Sequence, residues 1–189
     1  MHLGPDADLA LARRILHSYA APDAAQDEVR AQILAFIESH PTNAHQRSCL
    51  EGHLTASAPL LDHTGQRVLL TLHKKLGRWL QLGGHCDGDA NLPHVALREA
   101  QEESGIQEIH IEVEPFDLDI HTIPARRDVP EHLHLDVRFV AHAAEGCEAI
   151  LSDESLDLRW FHLDELTKLD VDESLQRMFR RLHARQHPH

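Results

Sequence analysis

A glycine-rich turn that runs into an acidic helix constrains this chain more than any other feature. The turn reads Gly83-Gly84-His85-Cys86-Asp87-Gly88-Asp89, and the helix ends in Arg98-Glu99-Ala100-Gln101-Glu102-Glu103-Ser104-Gly105-Ile106. With 3.6 residues per turn, Glu99, Glu102 and Glu103 fall within roughly a third of the helix circumference. Pro93, Ala96, Leu97, Ala100 and Ser104 fall on the other side, where small residues let a helix lie close to a sheet. Three like charges at this spacing repel by roughly 0.2–0.5 kcal/mol per pair. A bound cation would reverse that cost, and carboxylates beside pliable glycine backbone suit a hard divalent ion holding a phosphate. The helix start itself favours phosphate. Arg98, four residues before Glu102, can orient one carboxylate. Taken alone, such a helix reads as a solvated acidic face; the glycine turn in front of it points to a site.

The surrounding pattern supplies strands and helices in mixed order. Residues 6–39 predict two helices with apolar stripes at Leu9, Leu11, Ile15 and Leu16, then at Val29, Ile33, Leu34 and Ile37, separated by Pro22-Asp23. Leu54–Leu61 and Arg67–His73 predict a hairpin around Asp62-His63-Thr64-Gly65. The acidic helix is predicted over Leu92–Ser104, with Asp89 or Asn91 as its cap, Pro93 in its first turn and Gly105 at its stop. Strands are predicted near 107–114, 116–124, 132–142 and 156–161. A last helix near 172–186 turns Leu175, Met178, Phe179 and Leu182 inward. This order implies an α/β or α+β fold with a mixed sheet. Residues 1–50 form an N-terminal helical extension and residues 51–189 the main domain.

The formal charge of −13 argues against a nucleic-acid polymer as partner. Cys49, Cys86 and Cys147 follow neither a disulfide nor a zinc spacing, which fits a cytoplasmic setting. No apolar run approaches the ~20 residues that a bilayer span needs, so no membrane partner is expected. Several of the 18 histidines crowd His183–His189, where they read as solvated tail.

The segment Gly84–Ile106 resembles the box of the Nudix hydrolases, G-x5-E-x7-R-E-U-x-E-E-x-G-U with U apolar. Gly84, Arg98, Glu99, Ala100, Glu102, Glu103, Gly105 and Ile106 fall on the pattern. Ala90 stands where the box has its early glutamate, and Asp89 or Asp87 could serve there instead. The resemblance implies a Nudix-type α/β/α sandwich and hydrolysis of a nucleoside diphosphate-linked small molecule, dependent on Mg2+ or Mn2+. It implies Glu99, Glu102 and Glu103 as metal ligands, one of them a base, with the Gly83 carbonyl as a further ligand and Arg98 orienting a glutamate.

Around this centre the sequence offers weaker candidates. In His132–Phe139, Leu133, Leu135, Val137 and Phe139 alternate with His132, His134, Asp136 and Arg138. Asp117, Asp119 and His121 form a matching polar row, so a hairpin of the two would make a polar wall. That wall reads equally as a solvent-facing surface, or as a substrate wall or accessory metal position. Trp79, His85, His134 and Arg126 are the candidate substrate contacts; Lys74, Lys75 and Arg78 sit just before the glycine turn, Arg127 shares the loop of Arg126, and Glu154 is a candidate for a distal acidic ligand or base. Trp79 reads more readily as a hydrophobic anchor than as a base stacker. Cys86 reads as a packed or exposed thiol, since a reactive cysteine needs a lowered pKa. Two rival functions keep the Nudix fold: an isopentenyl-type diphosphate isomerase, and a sensor that binds nucleotide without cleaving it. The N-terminal helices could pack across a homodimer.

Overall fold

The computed structural model describes residues 2–74, 76–126, 129–151, 155–166 and 168–186. Lys75, Arg127, Glu154 and the last three residues of the tail lie outside them. The elements are α1 (Leu9–Ser18), α2 (Ala24–Ser39), β1 (Gly52–Ala58), β2 (Leu60–Leu61), β3 (Arg67–His73), β4 (Arg78–Leu80), β5 (Leu82–His85), α3 (Leu92–Ser104), β6 (Ile109–Ile111), β7 (Asp117–Ile123), β8 (His132–Arg138), β9 (Ala141–Ala143), β10 (Ser155–His162), α4 (Leu163–Leu166) and α5 (Glu173–Gln186). They fall into two compact units. The first holds Met1–Ser57, Gly83–Ala96 and Glu112–Phe139; the second holds Ala58–Leu82, Leu97–Ile111 and Val140–His189.

The first unit is built on a four-stranded mixed sheet in the order β5-β1-β8-β7. β1 and β8 run parallel, and β7 returns antiparallel beside β8. One face is apolar, with Leu54, Ala56, Leu118, Leu135 and Val137 all buried. α2 packs on β7, and Gln26 fixes the contact: its side chain accepts from Leu118 N at 2.9 Å and donates to Leu118 O at 2.9 Å. That one buried amide pairs with both backbone groups of Leu118 on the edge strand β7, where a helix covers it. Asp23 caps α2 by accepting from Gln26 N at 2.8 Å, as the Pro22-Asp23 break predicts.

The second unit contains the sheet β10-β3-β2-β9-β6, with β4 paired to β3. Its apolar residues include Leu60, Val68, Leu70 and Phe161, and α5 turns Leu175, Met178, Phe179 and Leu182 inward as its periodicity predicts. Asp62 holds the turn before β3. Its carboxylate accepts from Thr64 Oγ1, Gln66 N, Arg67 N and Arg67 Nε at 2.8–3.2 Å.

The predicted hairpin of 54–61 with 67–73 is only partly formed. Leu60 and Leu61 pair with β3, whereas Gly52–Ser57 pairs with β8. Pro59 is the reason: it lacks an N–H, and the chain leaves one sheet there and restarts in the other. The segment predicted as one strand over 132–142 divides in the same way, at Phe139-Val140, into β8 and β9. β2 and β9 then run parallel, as β1 and β8 do.

Candidate active site

α3 spans Leu92–Ser104, the predicted range. Its stop is set locally. Ser104 Oγ donates back to Ala100 O and accepts from Ile106 N at 3.1 Å, and Gly105 takes a left-handed φ of 72°. A Cβ on Gly105 would lie 2.9 Å from Ile150 Cβ, so glycine is required twice over. Ala100 and Ser104 are fully buried within the second unit. On the same stretch Glu102 is exposed, and Glu99 and Glu103 are partly so. Arg98 Nη2 lies 3.0 Å from Glu99 Oε1, so the guanidinium orients the carboxylate next to it in sequence. Three carboxylates on one face of a rigid helix, one held by arginine, are an oxygen donor set of the kind that a hard divalent cation takes.

The glycine turn lies in the first unit. Gly83 sits on β5 beside β1, where a Cβ would come 2.2 Å from Ser57 Cβ and 2.6 Å from Ser57 Cα. Only glycine permits that approach. Cys86 is buried, with 2 % of its surface exposed. Asp87, at φ 49°, forms a two-pronged ion pair with Arg47 at 2.6 and 2.7 Å. Asp89 Oδ1 accepts from Asp6 N at 3.0 Å and Asn91 N at 2.9 Å, and its Oδ2 lies 2.6 Å from His94 Nδ1. Ala90, where the box has a glutamate, is fully buried, and its N–H donates to Asp6 O. The Asn91 side chain donates to His2 O at 3.0 Å and Gly4 O at 2.7 Å. Residues 2–6 are therefore a strap along the box loop, a role that no periodicity or motif in the sequence announces.

The second face of the four-stranded sheet is polar: His53, Thr55, Ser57, Asp117, Asp136 and Arg138 on it are buried, Asp119, His132 and His134 are partly buried, and His121 is exposed. The hairpin forms with the two polar rows on one face, as their alternation predicts, and in its register Asp117 faces Arg138, Asp119 faces Asp136 and His121 faces His134. β1 adds His53, Thr55 and Ser57 beside His134, Asp136 and Arg138. Asp136 accepts from Thr55 Oγ1 at 3.0 Å and Ser57 Oγ at 2.8 Å. The buried Arg138 reaches Asp136 at 3.0 Å, Asp117 at 3.1 Å and Asp119 at 3.4 Å. Its burial opposes the charge, but the three carboxylates hold its pKa above the ordinary value.

Further along this face the side chains are imidazoles. The His53 ring lies 5.0 Å from those of His85 and His132 and 4.9 Å from that of His134, and His121 lies 5.4 Å beyond His134. Burial lowers His85 to about 4, helped by the positive charge of Arg47 and by His53. Burial, together with the neighbouring rings of His85, His121, His53 and His132, lowers His134 to about 2. Burial likewise lowers His53. His121 is the exception: burial opposes its charge, yet its contact with Asp119 and the charges of Asp136 and Asp119 raise its pKa.

Two other candidates are placed as follows. Trp79, in the second unit, meets Phe161 edge to face at 4.9 Å and carries Arg159 5.3 Å from its ring centre, so it anchors the sheet. Arg126 is exposed, and its backbone exchanges hydrogen bonds of 2.9 and 2.8 Å with Val129.

Comparison with known proteins places these features. The profile of the NUDIX domain matches residues 52–182, so the chain belongs to the Nudix family. Its fold is of the α/β Nudix type, with N-terminal helices in addition. No curated protein matches the chain. Among solved structures it is similar to an Ap4A hydrolase from C. elegans in a binary complex, at 18 % identity and a TM-score of 0.57, over 70 % of this chain and 96 % of that one. The MutT protein of Methanosarcina mazei Go1 shares 18 % identity at a TM-score of 0.54, over 72 % and 96 %. The NUDIX domain of Shewanella oneidensis NrtR, complexed with ADP ribose, shares 21 % at 0.52, over 82 % and 97 %. At such identities these likenesses speak for the fold. Among the described residues no helix is long and apolar enough to cross a membrane.

Proposed function

We propose that the chain hydrolyses a diphosphate linkage in a nucleoside diphosphate-linked or related small molecule, with Mg2+ or Mn2+ as cofactor. The observation that carries this reading is the Nudix box, with Glu99, Glu102 and Glu103 on one side of α3 and Arg98 3.0 Å from Glu99. In this reading the three carboxylates and the Gly83 carbonyl hold the ion. Bound there, a divalent cation neutralises phosphate charge and lowers the pKa of water. Arg98 keeps the Glu99 carboxylate in one orientation, and a carboxylate oxygen of the trio takes the proton of the attacking water. No covalent protein nucleophile is required, and the burial of Cys86 agrees with that. The exposed Arg126 suits a contact with anionic substrate. His85 and His134, neutral rings near one another, can donate or accept a hydrogen bond to substrate, whereas Trp79 is already engaged by Phe161 and Arg159. Residues 1–50 are an extension to the catalytic domain of 51–189, a division supported by the start of the family match at residue 52. The spacing of Cys49, Cys86 and Cys147, unlike that of a disulfide framework, supports a reducing, cytoplasmic setting.

The test is a panel of nucleotide sugars, dinucleoside polyphosphates, ADP-ribose, nucleoside triphosphates and coenzyme A with either metal, read by product mass. Turnover of at least one member is expected, and Glu103→Gln should lower it by roughly 10²–10⁴-fold. Isomerisation of an isopentenyl-type diphosphate without hydrolysis, or ligand-induced thermal stabilisation with no turnover, would replace this reading by one of its rivals.

A further inference from the structure

We propose that His53, His132 and His134 form a second metal site, distinct in chemistry from the carboxylates of α3, that binds a single transition-metal ion of the zinc class. One ligand nitrogen from each ring lies within 4.8 Å of those of the other two. All three residues belong to paired, parallel strands of one sheet, so the backbone that presents them is rigid: His53 lies opposite His134, and His132 is two residues before it on the same face. Zinc–imidazole bonds of about 2.0–2.1 Å at tetrahedral angles need nitrogens about 3.4 Å apart. From separations of at most 4.8 Å, reaching that spacing takes a closure of about 1.4 Å or less per pair.

Hydrogen bonding points the same way. His53 is 4 % exposed, and neither of its ring nitrogens makes a hydrogen bond of good geometry; the Cys49 backbone lies close enough only to favour the protonated ring a little. His134 Nε2 is also buried without a partner. Buried polar atoms left bare are destabilising. A hydrogen-bonded core would not gather several such atoms at one point, whereas a metal satisfies them together. His132 is prepared for the role: its Nδ1 lies 2.9 Å from Pro130 O, and a carbonyl can only accept. That bond fixes the proton on Nδ1 and leaves the Nε2 lone pair to a metal, the usual arrangement behind a ligating histidine. The donor set selects the ion. Three imidazoles suit zinc and its borderline neighbours and disfavour magnesium, which takes oxygen ligands. The fourth position falls to water or to His85, whose ring lies 4.9 Å from that of His134.

A weaker trio, His40, Cys49 and Glu51, lies elsewhere in the same unit. Its glutamate side chain is 71 % exposed, and burial keeps the Cys49 thiol protonated.

The experiment uses the full chain, stripped with chelator and kept in excess Mg2+, so that its readout is independent of turnover. Zinc is titrated against a chromophoric competitor, Co2+ is added as a spectroscopic probe, and zinc-edge X-ray absorption counts the nitrogen ligands. We expect one tight ion per chain, three histidine nitrogens or more, and tetrahedral Co2+ bands. His53→Gln should weaken zinc at least 100-fold and abolish the bands, and Glu103→Gln should leave both in place. Should His53→Gln fail to fold, His132→Gln, at a half-exposed position, is expected to produce the same two losses. The proposal is overturned by absence of a tight ion, by unchanged affinity in a folded histidine variant, or by loss of the ion in Cys49→Ser with the histidine variants unaffected.

Discussion

Replacing Arg138 by methionine tests the buried polar face most sharply. Methionine keeps much of the length and removes the charge. The guanidinium lies 3.0 Å from Asp136, 3.1 Å from Asp117 and 3.4 Å from Asp119, and both Asp117 and Asp136 are buried. The magnitude follows by two routes. Two charge-assisted hydrogen bonds at about 1.5–3 kcal/mol each give about 3–6 kcal/mol. Removing one partner of a buried ion pair costs about 3–5 kcal/mol, because the remaining charge is left uncompensated. Against a total stability of about 5–15 kcal/mol, a loss near 4 kcal/mol is large. Urea unfolding at neutral pH, followed by circular dichroism, measures it. The deficit should shrink in acid, since protonating the carboxylates removes the charges that the arginine no longer balances. A loss below about 1 kcal/mol, or a deficit that does not change with pH, would show that solvent rather than Arg138 balances these aspartates.

Two further predictions concern the turns. Gly83→Ala should cost about 3 kcal/mol or more, because the new methyl meets Ser57 backbone and side chain at 2.2–2.6 Å; Gly88→Ala, with no atom within 4 Å but a φ of 94°, should cost only about 1–2 kcal/mol, as thermal or urea unfolding would show. Asp62 is held below the usual carboxylate range: burial pushes it up, but the bonds from Arg67, Thr64 and Gln66 prevail. A depressed folded pKa stabilises above the unfolded value of about 3.9 and is lost as pH falls through the folded one. Asp62→Asn should therefore be about 1.5–3 kcal/mol less stable than the native chain at pH 7, and the gap should narrow below about pH 4.

Much of the fold was legible because its signals are local. The alternation of His132–Phe139 against Asp117–His121 contained the facing of β7 and β8, since a slip by one residue would turn every charged side chain into the apolar layer. α3 was legible to the residue, because Pro93, the small apolar positions and Gly105 mark its start, its face and its end. The division of β1 from β2 was harder to see. Leu54–Leu61 has the texture of one strand, and only the tertiary pairing shows that Pro59 separates two sheets. The candidate site was legible where the box is contiguous, and not where distant residues complete it. His53 has no partner nearby in sequence, and its place beside His134 depends on parallel pairing between strands far apart in the chain. Arg47 as the counter-ion of Asp87 depends likewise on the tertiary fold.

The strap formed by the first residues changes where this enzyme can be cut. The family match invites excision from about residue 52, which looks like a clean edge. Such a fragment would lose the acceptors of Ala90 N–H and of the Asn91 amide, as well as one donor to Asp89. The bend that leads into the glutamate helix would then be held from one side only. A shortened enzyme with slack catalytic geometry would reflect how it was trimmed, and its activity would not measure what the intact chain can do.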